Sequence, residues 1–322
     1  MKKYLSFLFT IIYILAFSEG LLILFSKFSN ISTLEKLKYA NKFIINYEND
    51  PVFKQHKKNF SENIMGVNLQ FNSMGFRGKE YPQDQKYKKI MSLGSSLVMG
   101  WGVREDETYI KILEKKLNEN VFLEKFQTIN AGIMHTNTVF HYNLFKKYFS
   151  QIQPDMLILG YFIDDAKELS KQKVPFVVKH SYLAALIYQI ILSKSSENLD
   201  EYYLRINSKN SKNWKIVEEN LVKIKEICDT NNIKLIIVIL PDFSDFENKN
   251  LENLYKEIQN RLFNIKIDSL NTYKSLKEKF EDDPRKSWIS RDDNHPNSEA
   301  NKIIANEIFN FLKQKKYIGN IK

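Results

Sequence analysis

The chain has 322 residues, of which 43% are hydrophobic and 27% charged, with 10 Gly, 7 Pro and one Cys. Collagen-like and low-complexity chains are far richer in Gly and Pro, and a disulfide scaffold is excluded because Cys228 has no intrachain partner. The formal charge of +10 suggests a nucleic-acid partner, but only six of the 48 basic residues are Arg, and the Lys residues are scattered along the chain. We therefore expect no nucleic-acid partner.

The amino terminus is a long apolar segment. After Lys2 and Lys3, an almost unbroken apolar run of 22 residues extends from Tyr4 to Phe25, interrupted by Glu19 and Gly20. A helix of that length reaches about 33 Å, enough to cross the hydrocarbon core of a bilayer. The run therefore predicts one N-terminal transmembrane helix.

A cleaved signal peptide is the alternative interpretation of this segment. Ala16-Phe17-Ser18 offers small residues at the two positions that a signal peptidase recognises. The apolar run continues past that point, which favours an uncleaved anchor over residues 1–27. Under both interpretations, we expect the main domain to lie outside the cytoplasm, on the periplasmic or extracellular face.

Strand and helix patterns alternate along most of the remaining chain. Short apolar runs that end at Gly, Pro or polar residues predict strands at 89–93, 126–131, 156–159, 233–240 and 265–270. Apolar residues at helical spacing predict helices at 108–117, 138–149, 214–228 and 300–312. The strand runs show little apolar-polar alternation, which is typical of a parallel sheet covered on both faces. We predict an α/β fold of three layers, α/β/α, with a central parallel sheet.

These patterns divide the chain into segments. The predicted α/β domain covers 71–316, with an insertion at about 169–211 that fits no strand and helix unit. A Lys-rich connector over 28–70, expected to be helical or irregular, joins it to the anchor, and a short tail covers 317–322. The oligomeric state does not follow from the sequence.

Candidate catalytic residues lie after the predicted strands, where open parallel sheets bind ligands. Ser96 follows the first strand, and Asp292-Asp293-Asn294-His295-Pro296-Asn297 precedes the last helix. Serine needs a base to act as a nucleophile, and His295 supplies one, with Asp292 three residues earlier to hold the imidazole. Asp293 is the alternative orienting acid.

Simpler interpretations exist for each of these residues. Ser95-Ser96 could cap a helix, and the acidic run could form a loop with His295 in solvent. A Gly-rich turn after a strand also binds phosphate, but this one lacks the Lys of a P-loop and the spacing of a dinucleotide motif. The five His show no HxxxH pair, so we expect no metal and no cofactor.

Four segments together resemble the SGNH (GDSL-type) hydrolase superfamily, particularly its membrane-anchored bacterial members. The resemblance extends from about Asn72 to Leu312 and keeps the motif order of that superfamily. Its segments are the turn at 72–78 with the first block Ile90–Val103, the second block Ile129–His135, the third block Pro154–Asp165 and the fifth block Asp292–Asn297. The resemblance implies a flavodoxin-like α/β/α fold with Ser96 as nucleophile and His295 as base.

Three positions depart from the pattern of that superfamily. The Asp that usually precedes the nucleophile is Ser95, and the Gly whose backbone N–H donates to the oxyanion is His135. The Asn whose side chain donates to the oxyanion is Asp164. An ionised carboxylate cannot donate, and losing one such donor costs about 3 to 4 kcal/mol of transition-state stabilisation. Burial near other carboxylates would keep Asp164 protonated and able to donate.

The sequence thus favours an esterase or O-acyltransferase with Ser96, His295 and Asp292. The resemblance and the expected export suggest acylated carbohydrate of an envelope or extracellular glycan as substrate. The alternative is a weak or inactive SGNH-fold protein that binds glycan or supports an envelope polysaccharide assembly complex, motivated by His135 and Asp164. A phosphate- or nucleotide-binding protein is a third possibility with little support.

Overall fold

The computed structural model describes residues 2–28, 42–47, 50–81, 86–122, 124–169, 175–194 and 198–319. Within these ranges the α-helices, numbered in chain order, are α1 (Lys2–Phe28), α2 (Ser96–Met99), α3 (Tyr109–Asn120), α4 (Thr138–Ile152), α5 (Phe176–His180), α6 (Tyr182–Lys194), α7 (Leu199–Ile206), α8 (Lys212–Thr230), α9 (Lys249–Asn264), α10 (Tyr273–Phe280) and α11 (Ser298–Gln314). The strands are β1 (Ile44–Asn46), β2 (Lys54–His56), β3 (Phe60–Ile64), β4 (Val67–Phe71), β5 (Tyr87–Gly94), β6 (Lys125–Gly132), β7 (Met156–Phe162), β8 (Lys234–Leu240), β9 (Asp268–Asn271), β10 (Trp288–Ser290) and β11 (Asp293–Pro296).

Five parallel strands form the central sheet, in the order β6-β5-β7-β8-β9. The apolar runs of the inner strands are buried on both sides, and Leu93, Leu157 and Ile237 have no exposed surface. A strand covered on both faces does not alternate between apolar and polar residues, so its sequence is a nearly continuous apolar run that can be recognised. The predicted parallel sheet is confirmed.

Helices cover both faces of this sheet. Because β6 lies on one side of β5 and β7 on the other, right-handed crossovers place α3 and α4 on opposite faces. Helix α3 packs with α11 on its face, and α4 packs with α8 on the other. The predicted three-layer α/β/α architecture is confirmed.

The chain forms two compact units. One contains residues 1–44 and 170–199, and the other contains 45–169 and 200–322, including the whole central sheet. In the described part of the chain, α1 is the one helix that is long and apolar enough to cross a membrane. The segment predicted as an insertion at about 169–211 holds α5, α6 and α7, and none of its described residues belongs to a strand.

The expectation of a helical or irregular connector over 28–70 is wrong for its described residues from Ile44 onward. This segment contains β1 to β4, and β3 and β4 form a hairpin in which Ile64 pairs with Val67. Met65 and Gly66 make the two-residue turn, with φ of 53° and 77°. A two-residue turn with two positive φ values matches the right-handed twist of the strands. Such turns usually have Asn, Asp or Gly at the first position, so Met65 gave no sign of this turn in the sequence. The residues at 29–41 lie outside the described part.

Candidate active site

Ser96 lies at the carboxyl edge of the sheet, where the strand order reverses at β5. Strand β5 ends at Gly94, and Ser96 is the first residue of α2. The turn requires glycine, because Gly94 has φ of 151° and a Cβ there would lie 2.8 Å from the carbonyl oxygen of Gly160. Ligands bind at such reversal points in open α/β sheets. The turn therefore presents the Ser96 hydroxyl where a substrate would bind.

His295 contacts Ser96 directly. The distance from Ser96 Oγ to His295 Nε2 is 2.8 Å, although the two residues are 199 positions apart in sequence. The His295 side chain is only 15% exposed. Two of the residues predicted to form the site are thus brought together at hydrogen-bond distance.

Asp293, and not Asp292, contacts the other nitrogen of the imidazole. Asp293 Oδ1 lies 2.5 Å from His295 Nδ1 and also accepts from the His295 backbone N–H at 3.2 Å. The carboxylate of Asp292 is exposed and accepts from Ser290 Oγ at 2.9 Å. The preference for Asp292 is therefore corrected. The reason is strand geometry: Asp293 and His295 belong to β11, and side chains two residues apart lie on the same face of a strand.

Trp101 supports the carboxylate of Asp293. Its indole N–H donates to Asp293 Oδ2 over 3.1 Å, and both side chains are buried. Trp101 belongs to the first sequence block. Nothing in the sequence around it indicates this role, because Asp293 is 192 residues away. The carboxylate is thus held on one oxygen by His295 and on the other by Trp101.

A buried arginine fixes the loop that follows α2. The guanidinium of Arg77 donates to the carbonyl oxygens of Gly100 at 2.9 Å and of Val103 at 2.7 Å. Burial lowers the pKa of Arg77 to about 10. The backbone N–H of Arg77 donates to Asn130 in β6 at 3.0 Å, so the turn at 72–78 connects the first and second sequence blocks.

His135 has a backbone conformation that favours glycine. Its φ is 54°, in the left-handed region, and its side chain is exposed. Lys54 Nζ donates to the His135 carbonyl oxygen over 3.0 Å. Burial and the nearby Lys167 ammonium lower the pKa of Lys54 to about 8. Lys54, on β2, was not identified from the sequence, because β2 lies in the segment predicted as a connector.

Asp164 forms an ion pair with Lys167. The two residues lie in the turn after β7, three positions apart. Burial raises the pKa of Asp164, Lys167 opposes that rise, and the carboxylate of Asp242 adds to it. Asp242 is itself buried and accepts from Asn294 Nδ2, next to His295, at 3.4 Å. The site therefore contains an ion pair at the place where the superfamily pattern has a neutral amide.

A cavity of about 250 Å³ lies beside this turn. Phe53, Leu169 and Val217 give it an apolar lining, and Asp165 and Lys167 contribute polar atoms. Neither Ser96 nor His295 is among its lining residues. Over the described residues, no group of three or more His, Cys, Asp or Glu side chains is arranged to hold a metal ion.

The sequence matches no family model and no curated protein. Among solved structures, the chain is similar to TesA, with 11% identity and a TM-score of 0.46 over 70% of this chain and 98% of that one. It is similar to a lipolytic protein of the G-D-S-L family from Desulfitobacterium hafniense DCB-2, with 12% identity and a TM-score of 0.45 over 69% and 98% of the two chains. It is also similar to the acetyl xylan esterase AlAXEase, with 15% identity and a TM-score of 0.45 over 70% and 99%.

At these identities and TM-scores, the similarity assigns neither an activity nor a substrate to this chain. The proteins found include a named G-D-S-L family member, and the sequence blocks around Ser96 and His295 resemble the same superfamily. The sequence motifs of the chain resemble those of SGNH (GDSL-type) hydrolases.

Proposed function

We propose that the chain is a serine ester hydrolase or O-acyltransferase of the SGNH type, with Ser96 as nucleophile, His295 as base and Asp293 as orienting acid. The observation that carries this proposal is the hydrogen-bonded series from Ser96 Oγ to His295 Nε2, at 2.8 Å, and from His295 Nδ1 to Asp293 Oδ1, at 2.5 Å. A hydroxyl becomes an effective nucleophile where a base takes its proton and a third group orients that base.

In the proposed reaction, Ser96 Oγ attacks the ester carbonyl carbon while His295 Nε2 takes the hydroxyl proton. The tetrahedral oxyanion collapses, the alcohol leaves with the proton from His295, and an acyl-enzyme remains on Ser96. Water or an acceptor hydroxyl then attacks the acyl group, with His295 again as base, and Ser96 is regenerated. Water gives hydrolysis, and a carbohydrate hydroxyl gives acyl transfer. The Asp293 carboxylate stabilises the imidazolium that forms in each step.

Stabilisation of the oxyanion is the weaker part of this site. The backbone N–H of Ser96, in the first turn of α2, has no acceptor within that helix, and His135 keeps its own N–H. Asp164 replaces the third donor with a carboxylate paired to Lys167. Lys167 and Lys54 lie close enough that Lys167 lowers the pKa of Lys54. We propose that these two ammonium groups offset the charge of Asp164 at the oxyanion.

The proposed substrate is an acyl ester of a carbohydrate outside the cytoplasm. The sequence resemblance implies this class, and α1 supports a membrane anchor by its length and by the 0% burial of its apolar span. The amino terminus of purified protein, determined by mass spectrometry after detergent extraction, tests the anchor. A chain that begins at residue 19 would identify a cleaved signal peptide instead.

Hydrolysis of p-nitrophenyl acetate by the full chain in detergent, beside Ser96→Ala, tests the proposed chemistry. We expect esterase activity that Ser96→Ala abolishes, together with an acetyl adduct on Ser96 in quenched samples. Equal rates in both proteins would contradict the enzyme. Adding an oligosaccharide acceptor distinguishes acyl transfer from hydrolysis through the acetylated product.

The ion pair of Asp164 favours a second candidate, a protein that binds glycan without turning it over. In that case, wild-type protein and Ser96→Ala would bind an acetylated oligosaccharide with equal affinity, and neither would release acetate. Release of acetate by the wild-type protein alone would exclude this candidate.

A further inference from the structure

We propose that the segment from Phe176 to Lys194, which contains α5 and α6, is a second membrane-embedded element, and that the bilayer lipid covers its apolar surface. This inference rests on the proposed membrane anchor, because it takes α1 as a membrane span. It assigns a role to a segment that the α/β fold and the proposed catalysis leave without one.

The first observation is the apolar surface of this segment. No charged residue occurs from Ser181 to Ser193. Ile187, Ile190 and Ile191 are 47%, 47% and 61% exposed, and Phe176 is 78% exposed. The three Ile residues are spaced by three and four positions, so they form one stripe along α6. Exposed apolar surface of this extent marks a place of contact with a partner or a membrane.

The second observation is a set of hydrogen bonds between α1 and the start of α6. The carboxylate of Glu19 accepts from Ser181 Oγ at 2.8 Å, from the Tyr182 N–H at 2.8 Å and from the Leu183 N–H at 2.9 Å. Glu19 therefore caps the amino terminus of α6, although it belongs to a different helix. Both helices belong to the same compact unit.

These hydrogen bonds determine the depth of α6. Glu19 lies six residues before Phe25, the end of the apolar run, which is about 9 Å along the helix axis. If α1 spans the bilayer, the residues that donate to Glu19 lie at the same depth, inside the apolar layer. An unpaired carboxylate and unpaired backbone N–H groups both cost free energy in the apolar layer of a bilayer. The hydrogen bonds between Glu19 and the start of α6 pair these groups with each other.

The length of α6 indicates how it occupies the bilayer. Its 13 residues reach about 20 Å, less than the roughly 30 Å of a hydrocarbon core. Leu21 and Leu24 of α1 are also exposed, at 50% and 53%, so both helices of this unit carry exposed apolar side chains. Lipid is the occupant that fits both surfaces at once, and α6 would enter the bilayer without crossing it.

Spin labels on the full chain in phosphatidylcholine-phosphatidylglycerol vesicles test this inference. Four variants each carry one introduced cysteine, at Ile187, Ile191, Leu24 or Phe263. Leu24 lies in α1, and Phe263, which is 79% exposed on the α/β unit, is the control. The native Cys228 is fully buried, and unmodified protein measures its background labelling. We expect oxygen to reach labels at 187, 191 and 24 more readily than a water-soluble nickel chelate does, and the reverse at 263.

The outcomes separate this inference from the anchor. A label at 24 in lipid with labels at 187 and 191 in water would overturn the inference and leave the anchor intact. Labels at 187 and 191 that neither reagent reaches would indicate a protein partner or a second copy, and would also overturn it. A label at 24 in water would remove the anchor itself.

The cap is tested separately in the same vesicles. Glu19→Ala removes the acceptor of all three donors, whereas Thr10→Ala removes only the bond from Thr10 Oγ1 to the Ser6 carbonyl within α1. We expect Glu19→Ala to increase the mobility of the label at 187 and Thr10→Ala to leave it unchanged. Equal mobility in both variants would contradict the attachment of α6 to α1.

Discussion

Trp101 donates its indole N–H to Asp293 Oδ2 over 3.1 Å, and His295 Nδ1 contacts the other carboxylate oxygen, Oδ1. The loop after α2 therefore holds the carboxylate that contacts His295, the residue proposed as base. Arg77 holds the same loop through the carbonyl oxygens of Gly100 and Val103. The positions of Ser96 and Asp293 are thus coupled through one loop.

We expect Trp101→Phe to lower kcat while leaving KM nearly unchanged. The variant keeps most of the buried ring but removes the N–H that donates to Asp293. A hydrogen bond to a charged group contributes about 1.5 to 3 kcal/mol, which corresponds to roughly a tenfold to hundredfold loss of rate. Steady-state hydrolysis of p-nitrophenyl acetate measures kcat and KM of the variant and of the wild-type protein.

Trp214→Phe is the matched control for this prediction. Trp214 is equally buried and donates its indole N–H to Glu218 over 3.1 Å, within α8. It should retain wild-type kcat. Equal losses in the two variants would mean that Trp101 acts only through general packing.

Asp293→Asn should reduce kcat by about a thousandfold or more, because the amide favours the wrong tautomer of His295 and does not stabilise the imidazolium. Asp292→Asn should leave kcat within about twofold of wild type, since Asp292 is exposed and accepts from Ser290. The two variants differ by one position in the same segment. The opposite ranking of their rates would restore Asp292 as the orienting acid.

Much of the fold and part of the site follow from local sequence patterns. Strands β5, β7 and β8 are predictable because each contains a short run dominated by apolar residues, and Ser96 lies just after the first of these runs. The choice between Asp292 and Asp293 was not predictable, because it depends on where β11 begins and how Ser290 pairs with Asp293 across the β10–β11 hairpin. The roles of Trp101 and Lys54 depend on contacts between distant segments, for which a single sequence carries no signal.

Asp164→Asn should raise kcat by at least about tenfold, because the proposed oxyanion site would gain the amide donor that the superfamily pattern has at this position and lose a negative charge. Lys167→Met breaks the same ion pair without adding a donor, so it should lower kcat. The two rates are compared on p-nitrophenyl acetate at saturating substrate. A lower kcat in Asp164→Asn would show that the carboxylate itself, or its pairing with Lys167, is needed for activity.

The buried His141 side chain should make the α/β unit less stable in acid. The side chain is fully buried, and burial lowers its pKa from 6.5 to about 3. In the unfolded chain, the imidazole takes up a proton near pH 6.5, whereas the folded protein does so only near pH 3. Between these values, the unfolded state binds more protons, so stability falls as the pH falls. For this one group, the loss between pH 7 and pH 5 is about 2 kcal/mol of unfolding free energy.

His141→Gln should remove that loss. The Gln amide can donate to Thr136 Oγ1, which lies 3.0 Å from His141 Nε2, and Gln does not titrate in this range. Guanidinium unfolding at pH 7 and pH 5, followed by Trp fluorescence, should therefore show a free-energy decrease about 2 kcal/mol smaller than that of wild type. Thr136→Val removes the same hydrogen bond but keeps the imidazole, so it should lower stability while retaining the wild-type pH dependence. Parallel pH dependences for wild type and His141→Gln would mean that His141 is not the group whose protonation opposes folding in acid.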